Sequence, residues 1–153
     1  TPLYSWSASD VYKRQVRDTE RNMSLFRFVN RYAALQEARD NLEKWWPYVL
    51  RINGMAKAML AVDDDDYERA LEIVHQTRDQ IGSWPAVEAE EFFVERERSE
   101  EALEELEQEL LQKRPLSPIE QLQRSLQEAI EREEFERAAV LRDEINKLQE
   151  EER

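Results

Sequence analysis

The sequence has no cysteine and little glycine, and both absences narrow the structures it can form. Without Cys among its 153 residues, the chain has no disulfide framework, no thiolate nucleophile and no thiol ligand for a metal. Only two Gly leave few places for the tight turns of β-hairpins. We therefore predict an all-α protein, and the absence of disulfides indicates a reducing, cytoplasmic location.

Long apolar runs and an excess of positive charge are also missing. No stretch reaches the roughly 20 consecutive apolar residues that a membrane-spanning helix requires, so we expect no membrane association. The formal net charge is −13, and so acidic a surface repels phosphate groups unless basic residues are segregated on one face. Since no basic patch is visible in the linear sequence, we expect no direct binding to duplex nucleic acid.

Charged residues are abundant, at 37% of the chain, and they surround apolar residues at helical spacing. Apolar intervals of three and four residues predict one helix from Ser24, its N-cap, to about Trp46, a second from Tyr48 to Ala61 and a third that begins near Tyr67. The predicted core-facing row of the first helix is Leu25, Phe28, Val29, Tyr32, Leu35, Ala38 and Leu42.

A long acidic helix is predicted from Ala86 to about Lys113, with apolar residues from Val87 to Leu110, and Pro115 ends it. The run SWSASDVYKRQ near the N-terminus resembles translated adapter sequence, so we expect the native start at Met23. The predicted organisation is an unstructured or non-native segment over residues 1–22, a three-helix region over 23–85, the long helix over 86–114, a linker over 115–118 and a helical hairpin over 119–153.

The hairpin is predicted from two short apolar rows that flank an acidic turn in the run QLQRSLQEAIEREEFERAAVLRDEINKL, Gln121 to Leu148. Its acid-aromatic-Glu-Arg-Ala-Ala core and Leu-Arg-Asp-Glu-Ile tail occur in register. This run resembles the UVR motif, the helical hairpin of the excision-repair subunit UvrB and of its nuclease partner UvrC. The resemblance covers roughly residues 119–149.

The resemblance implies a binding function and no catalytic activity. UVR hairpins dimerise or pair with another UVR hairpin, and they also occur in the activator of the protein arginine kinase and in some Clp-type ATPases. The sequence has no helicase motif, nuclease domain or zinc-binding Cys pair, so the resemblance assigns no pathway.

We therefore predict a non-catalytic scaffold or adaptor that forms a homodimer or pairs with another helical-hairpin protein. The apolar face of the hairpin is covered either by that partner or by the long acidic helix of the same chain. The predicted partner-binding residues are Leu122, Leu126, Ile130, Phe135, Ala138, Leu141, Arg142, Ile145 and Leu148.

An internal repeat gives an alternative. The string Asp66-Tyr67-Glu68-Arg69-Ala70 recurs as Glu134-Phe135-Glu136-Arg137-Ala138, each time between two apolar helices. Either the chain holds two copies of one hairpin, or this string is a common way to open an amphipathic helix. The first hairpin also loosely resembles a tetratricopeptide unit, so a peptide-binding module that uses a groove between the first three helices is the alternative function.

Catalytic and metal-binding patterns are incomplete. Glu72 and His75 have the Glu-x-x-His spacing of di-iron helical bundles, but the chain has one His where such a site needs two. Asp63 to Asp66 lack the Gly that an EF-hand loop requires, and they suit the N-terminus of a helix. We predict no enzyme activity, no cofactor and no metal site, and an enzyme with a carboxylate metal site is the least favoured alternative function. Trp45, Trp46 and Trp84 are predicted to pack at a corner of the core, with a partner groove as the alternative.

Overall fold

A computed structural model describes residues 7–153, and within that range it contains seven α-helices and no strand. The prediction of an all-α protein is confirmed. The chain divides into two compact units, Thr1–Lys113 and Arg114–Arg153. The helices are α1 (Ala8–Tyr32), α2 (Gln36–Glu43), α3 (Trp46–Asp63), α4 (Tyr67–Gly82), α5 (Glu90–Lys113), α6 (Pro118–Glu131) and α7 (Phe135–Glu151).

The first unit is built around α3, which packs against α1, α4 and α5. Between Trp46 and Ala61, α3 has only two charged residues, Arg51 and Lys57. A helix that is apolar on nearly all sides is stable when other helices cover it. The surrounding core residues come from every long helix of the unit, namely Met23 and Phe26 of α1, Val74 and Ile81 of α4, and Leu103, Leu106 and Leu110 of α5.

Gly54 lets α3 and α4 approach each other closely. A Cβ atom at this position would lie 2.2 Å from the hydroxyl oxygen of Thr77. Thr77 is buried, and its hydroxyl donates to the carbonyl oxygen of Ile73 at 2.7 Å. The contact between the two helices therefore depends on a residue without a side chain.

Polar groups join α5 to the central helix. Arg51 forms an ion pair with Glu95 at 3.2 Å, and both side chains are largely shielded from solvent. The Ser99 hydroxyl accepts a hydrogen bond from the Arg51 guanidinium at 3.2 Å. Each of these buried groups has a partner, as burial away from water requires.

The N-terminal segment is helical, so the prediction of an unstructured segment over residues 1–22 is wrong for residues 8–22. Ser7 caps α1 by accepting from the backbone N–H of Asp10 at 3.1 Å. The buried side of α1 includes Thr19, which accepts a hydrogen bond from the Asn53 side chain at 3.1 Å. A threonine inside an otherwise apolar row hid this periodicity. Residues 1–6 lie outside the described residues, and the expected start at Met23 stays a prediction.

The single helix predicted from Ser24 to Trp46 is also wrong. Helix α1 ends at Tyr32, and the next helix, α2, begins at Gln36. Ser24 lies inside α1, where its hydroxyl donates to the carbonyl oxygen of Glu20 at 3.0 Å. Met23 and Phe26 occupy the inner face, so most of the row predicted for the core points outward and is exposed: Leu25, Phe28, Tyr32 and Leu35.

Trp45, Trp46 and Trp84 pack as predicted for a corner of the core. Trp46 is 2% exposed, and its ring lies 5.3 Å from that of Phe26 and 4.6 Å from that of Trp84, measured between centroids. Trp45 and Trp84 are partly buried against the same core. Among residues 7–153, no helix has the length and apolar character needed to cross a bilayer.

Candidate functional site

The second unit is a hairpin of α6 and α7. The hydroxyl of Ser117 accepts from the backbone N–H of Glu120 at 3.2 Å, and Pro118 takes the first helical position. Both residues favour the start of a helix. Arg114 pairs with Glu120 at 3.4 Å beside this first turn.

A compact turn connects the two helices. The carbonyl oxygen of Ala129 accepts from the N–H of Glu134 at 2.9 Å, and that of Ile130 accepts from the N–H of Glu133 at 3.0 Å. Glu133 has a φ of 59°, in the left-handed region. These two bonds and the left-handed residue form a Schellman motif, which ends α6 and lets α7 start immediately.

The predicted binding residues divide by their burial. Ile145 is buried, as is Ala129, which the sequence-based list of binding residues omitted. Five more predicted residues are half-buried: Leu122, Leu126, Ala138, Leu141 and Leu148. Because α6 and α7 pack against each other, we interpret this inner row as the hairpin's own small core.

The two remaining apolar residues of the prediction lie at the turn end and face solvent. Ile130, in the last turn of α6, is 46% exposed, and Phe135, the first residue of α7, is 67% exposed. We call Ile130 and Phe135 the turn-end pair. A shallow depression of ≈ 370 Å³ lies beside Phe135, between Glu133 and Arg137. Large exposed apolar side chains next to a rim of charges are typical of a binding surface.

Exposed charges surround the turn-end pair. Arg137 pairs with Glu134 at 3.2 Å, and Arg124 pairs with Glu128 at 3.7 Å. The predicted binding residue Arg142 is exposed and contacts Asp143 at 3.3 Å. Solvent-exposed pairs of this kind contribute little to stability. Val140 is exposed as well, and sequence reasoning missed it because it lies outside the apolar row.

The turn between α3 and α4 has the same geometry. The carbonyl oxygen of Ala61 accepts from the N–H of Asp66 at 2.9 Å, and that of Val62 accepts from the N–H of Asp65 at 2.9 Å. Asp65 has a φ of 56°. The repeated sequence string therefore corresponds to a repeated turn. In this copy, however, Val62 and Tyr67 are partly buried against the core of the first unit.

The other candidate residues take structural roles. Glu72 pairs with Arg69 at 2.8 Å instead of His75, whose Nε2 lies 3.0 Å from Glu107 on α5. The Asp66 carboxylate caps α4 by accepting from the N–H of Arg69 at 3.0 Å. Across residues 7–153, no group of three or more His, Asp or Glu side chains is arranged to hold a metal ion.

Comparison with protein families agrees with this geometry. The family model described as the UvrB/uvrC motif, UVR, matches residues 117–151. The match begins at the N-cap of α6 and ends at the last residue of α7, and it confirms the resemblance for the C-terminal part of the chain. The UVR motif is a non-catalytic helical interaction motif. No curated protein and no solved structure matches the chain.

Proposed function

We propose that the protein is a non-catalytic scaffold or adaptor that binds a second helical hairpin through the turn-end pair of its UVR hairpin. The observation that carries the proposal is the exposure of Phe135. The equivalent residue of the first hairpin, Tyr67, is packed against a core, whereas Phe135 is two-thirds exposed. The same turn thus occurs twice in this chain, and the aromatic residue that follows it is packed against a core in one copy and exposed to solvent in the other.

The binding energy comes from covering apolar surface. Burial contributes roughly 25 cal/mol per Å² of apolar area before the costs of association. A partner that covers Phe135 and Ile130 also brings its side chains to the edge of the inner row. The charged residues around the pair, among them Glu136, Arg137 and Glu144, then determine which partners fit.

The first partner we propose is a second copy of the hairpin. Two identical hairpins related by a twofold axis form a four-helix arrangement in which each turn-end pair is covered by the same surface of the other copy. The apolar row of α5, Leu103, Leu106 and Leu110, is buried in the core of the first unit. A cytoplasmic location fits this proposal, because it needs no disulfide or membrane anchor.

The test is the mass of the protein in solution for the wild type and for Phe135→Asp. We expect a wild-type dimer by sedimentation or light scattering, and a monomer for Phe135→Asp, because a carboxylate cannot be buried there without a partner. The control is Phe93→Asp, which places the same charge at an exposed phenylalanine of the first unit. It should leave the dimer intact. A wild-type monomer at high protein concentration would refute the homodimer.

A further inference from the structure

A second exposed apolar surface lies on the outer face of α1, in the first unit. Leu25, Phe28 and Tyr32 are 52%, 61% and 64% exposed, and Leu35, just beyond the helix, is 69% exposed. The rings of Phe28 and Tyr32 contact each other at 4.8 Å between centroids. We call these four residues the α1 outer row. Leu25, Phe28 and Tyr32 share one face of α1 and Leu35 follows three residues later, so exposed apolar side chains are more concentrated here than the scattered exposure that is normal for a protein surface.

Basic residues continue this row along the helix. Arg17, Arg21, Leu25, Phe28 and Tyr32 follow one another at intervals of four, four, three and four residues, so they share one face of α1. Arg17 and Arg21 are exposed. Arg31 lies beside the row, with its guanidinium 5.5 Å from the centroid of the Tyr32 ring. The outer face therefore has Arg17 and Arg21 at its N-terminal end, beside the exposed ion pair of Arg14 with Asp18, and the apolar side chains at its C-terminal end.

The charge of α1 opposes that of the molecule. It contains six basic and three acidic residues, whereas the whole chain has a net charge of −13. The basic residues are scattered in the linear sequence, and the helix places Arg17 and Arg21 on the outer face, whereas the guanidinium of Arg27 lies over the ring of Trp46. The outer row and Arg31 follow Met23, whereas Arg17 and Arg21 precede it.

We propose that the α1 outer row and its arginines form a docking surface for an acidic amphipathic helix of a partner protein. Charge complementarity selects this occupant: carboxylates on the partner would pair with Arg17, Arg21 and Arg31, while its apolar side chains cover Leu25, Phe28, Tyr32 and Leu35. Leu25 and Leu35 favour a protein over nucleic acid, because bases stack on aromatic rings and gain little from aliphatic side chains.

This surface is distinct from the turn-end pair of the hairpin. The α1 outer row belongs to the unit Thr1–Lys113, and the turn-end pair belongs to Arg114–Arg153. A protein with one docking surface on each unit can hold two different partners at once, which is the property of an adaptor.

The test uses the full chain and two fluorescein-labelled, alanine-rich helical peptides of about 20 residues. Both carry Leu at three- and four-residue spacing, and their polar face is Glu in one and Lys in the other. The net charge of the protein attracts the Lys peptide everywhere and repels the Glu peptide, so saturable binding of the Glu peptide requires a local basic site. We expect the Glu peptide to bind at 50 mM NaCl and to bind at least about tenfold more weakly at 500 mM NaCl.

The variants locate the site. Phe28→Asp and Arg21→Glu should each weaken binding of the Glu peptide by about tenfold or more. Their matched controls are Phe93→Asp and Arg69→Glu, which make the same charge changes at exposed positions outside both proposed surfaces and should change the affinity less than about twofold. Since all four positions are exposed, the variants should fold, and circular dichroism checks that they do.

Three results would overturn the proposal. The first is a failure of the peptide experiment itself: either the Glu peptide shows no saturable binding, or the variants and their controls lose equal amounts of affinity for it. The second is binding of a 15-nucleotide poly-dT strand that Phe28→Asp abolishes, which would assign the surface to nucleic acid. The third is a dimer that Phe28→Asp dissociates, which would assign it to a second copy of the chain. Phe135→Asp should leave peptide binding unchanged, so this proposal and that of the hairpin dimer can fail independently.

Discussion

The two hairpins of this protein have the same turn and opposite environments. In each, a left-handed acidic residue and two backbone hydrogen bonds end one helix and start the next. The α3–α4 hairpin is enclosed by α1 and α5, and Tyr67 at its turn packs against the core. At the same position of the α6–α7 hairpin, Phe135 faces solvent. Turn geometry is therefore a local property of the sequence, whereas the exposure of the aromatic residue depends on what the rest of the chain covers.

The two hairpins also differ in the residues at the contact between their two helices. Position 54 is Gly and faces Thr77 in the first hairpin, whereas the matching positions of the second are Leu122 and Ile145. Small residues let two helices approach closely and leave their outer sides for other helices to cover. Large residues give a two-helix unit some core of its own, which the second hairpin needs because isolated helices of this length are marginal.

The largest effect is expected from Gly54→Ala. The new Cβ would lie 2.2 Å from the Thr77 hydroxyl oxygen, and we expect α3 and α4 to separate at a cost of about 3 kcal/mol in the free energy of unfolding. Urea unfolding followed by tryptophan fluorescence measures it, since all four Trp precede residue 114.

Gly82→Ala is the control for that substitution, because nothing lies within 4 Å of a Cβ built there. It should leave stability unchanged or raise it by about 0.5 kcal/mol, as Ala is the better helix residue. Equal effects of the two substitutions would show that the close approach of α3 and α4 is unimportant.

The next effect compares the two aromatic residues directly. Tyr67→Asp should lower the stability of the first unit by about 2 kcal/mol, because the carboxylate replaces a ring that packs against the core. Phe135→Asp should change the stability of a monomeric hairpin by less than about 0.5 kcal/mol, because its ring is exposed. Tryptophan fluorescence follows the first unit, and amide hydrogen exchange at residues 138–148 follows the hairpin. If the two substitutions lowered stability by similar amounts, the result would contradict the contrast between a buried aromatic residue at the first turn and an exposed one at the second.

The smallest effect concerns the turns themselves. Glu133→Gly should stabilise the hairpin by about 1 kcal/mol, because Gly adopts a left-handed conformation without steric cost. Asp65→Gly should gain about half as much in the first unit, since Asp tolerates this region better than Glu. Hydrogen exchange and tryptophan fluorescence, respectively, measure these gains. Glu134→Gly, at a residue with negative φ, should give no gain, and a gain there would refute the conformational explanation.

The parts of the fold that the sequence predicted are those with local signals. The hairpin at residues 117–151 has two amphipathic rows and an acidic turn, and the family match agrees with it. The buried positions Phe92, Leu103, Leu106 and Leu110 of α5 also follow a simple helical period.

The parts that were mispredicted depend on tertiary packing. Thr19 is buried because Asn53 of α3 donates to it, and nothing near Thr19 in the sequence indicates that bond. The row from Leu25 to Leu35 has the spacing of a core face, yet Met23 and Phe26 occupy that role because α3 lies on their side. When one helix has two apolar rows, the sequence alone does not tell which row faces the core, because that depends on which one the neighbouring helix covers.

The bond between Thr19 and Asn53 also sets the register of α1. Sliding α1 along α3 by one helical turn, about 5.4 Å, would leave the buried Asn53 amide without this partner, and a buried polar group left unpaired costs about 1–3 kcal/mol. The Thr19 hydroxyl would keep its bond to the carbonyl oxygen of Gln15, which lies 2.6 Å away in the same helix. A purely apolar contact between the helices would resist such a shift far less. The outer face of α1 is therefore held at one position on the first unit. The docking surface proposed there is preorganised, so a ligand would not have to order it on binding.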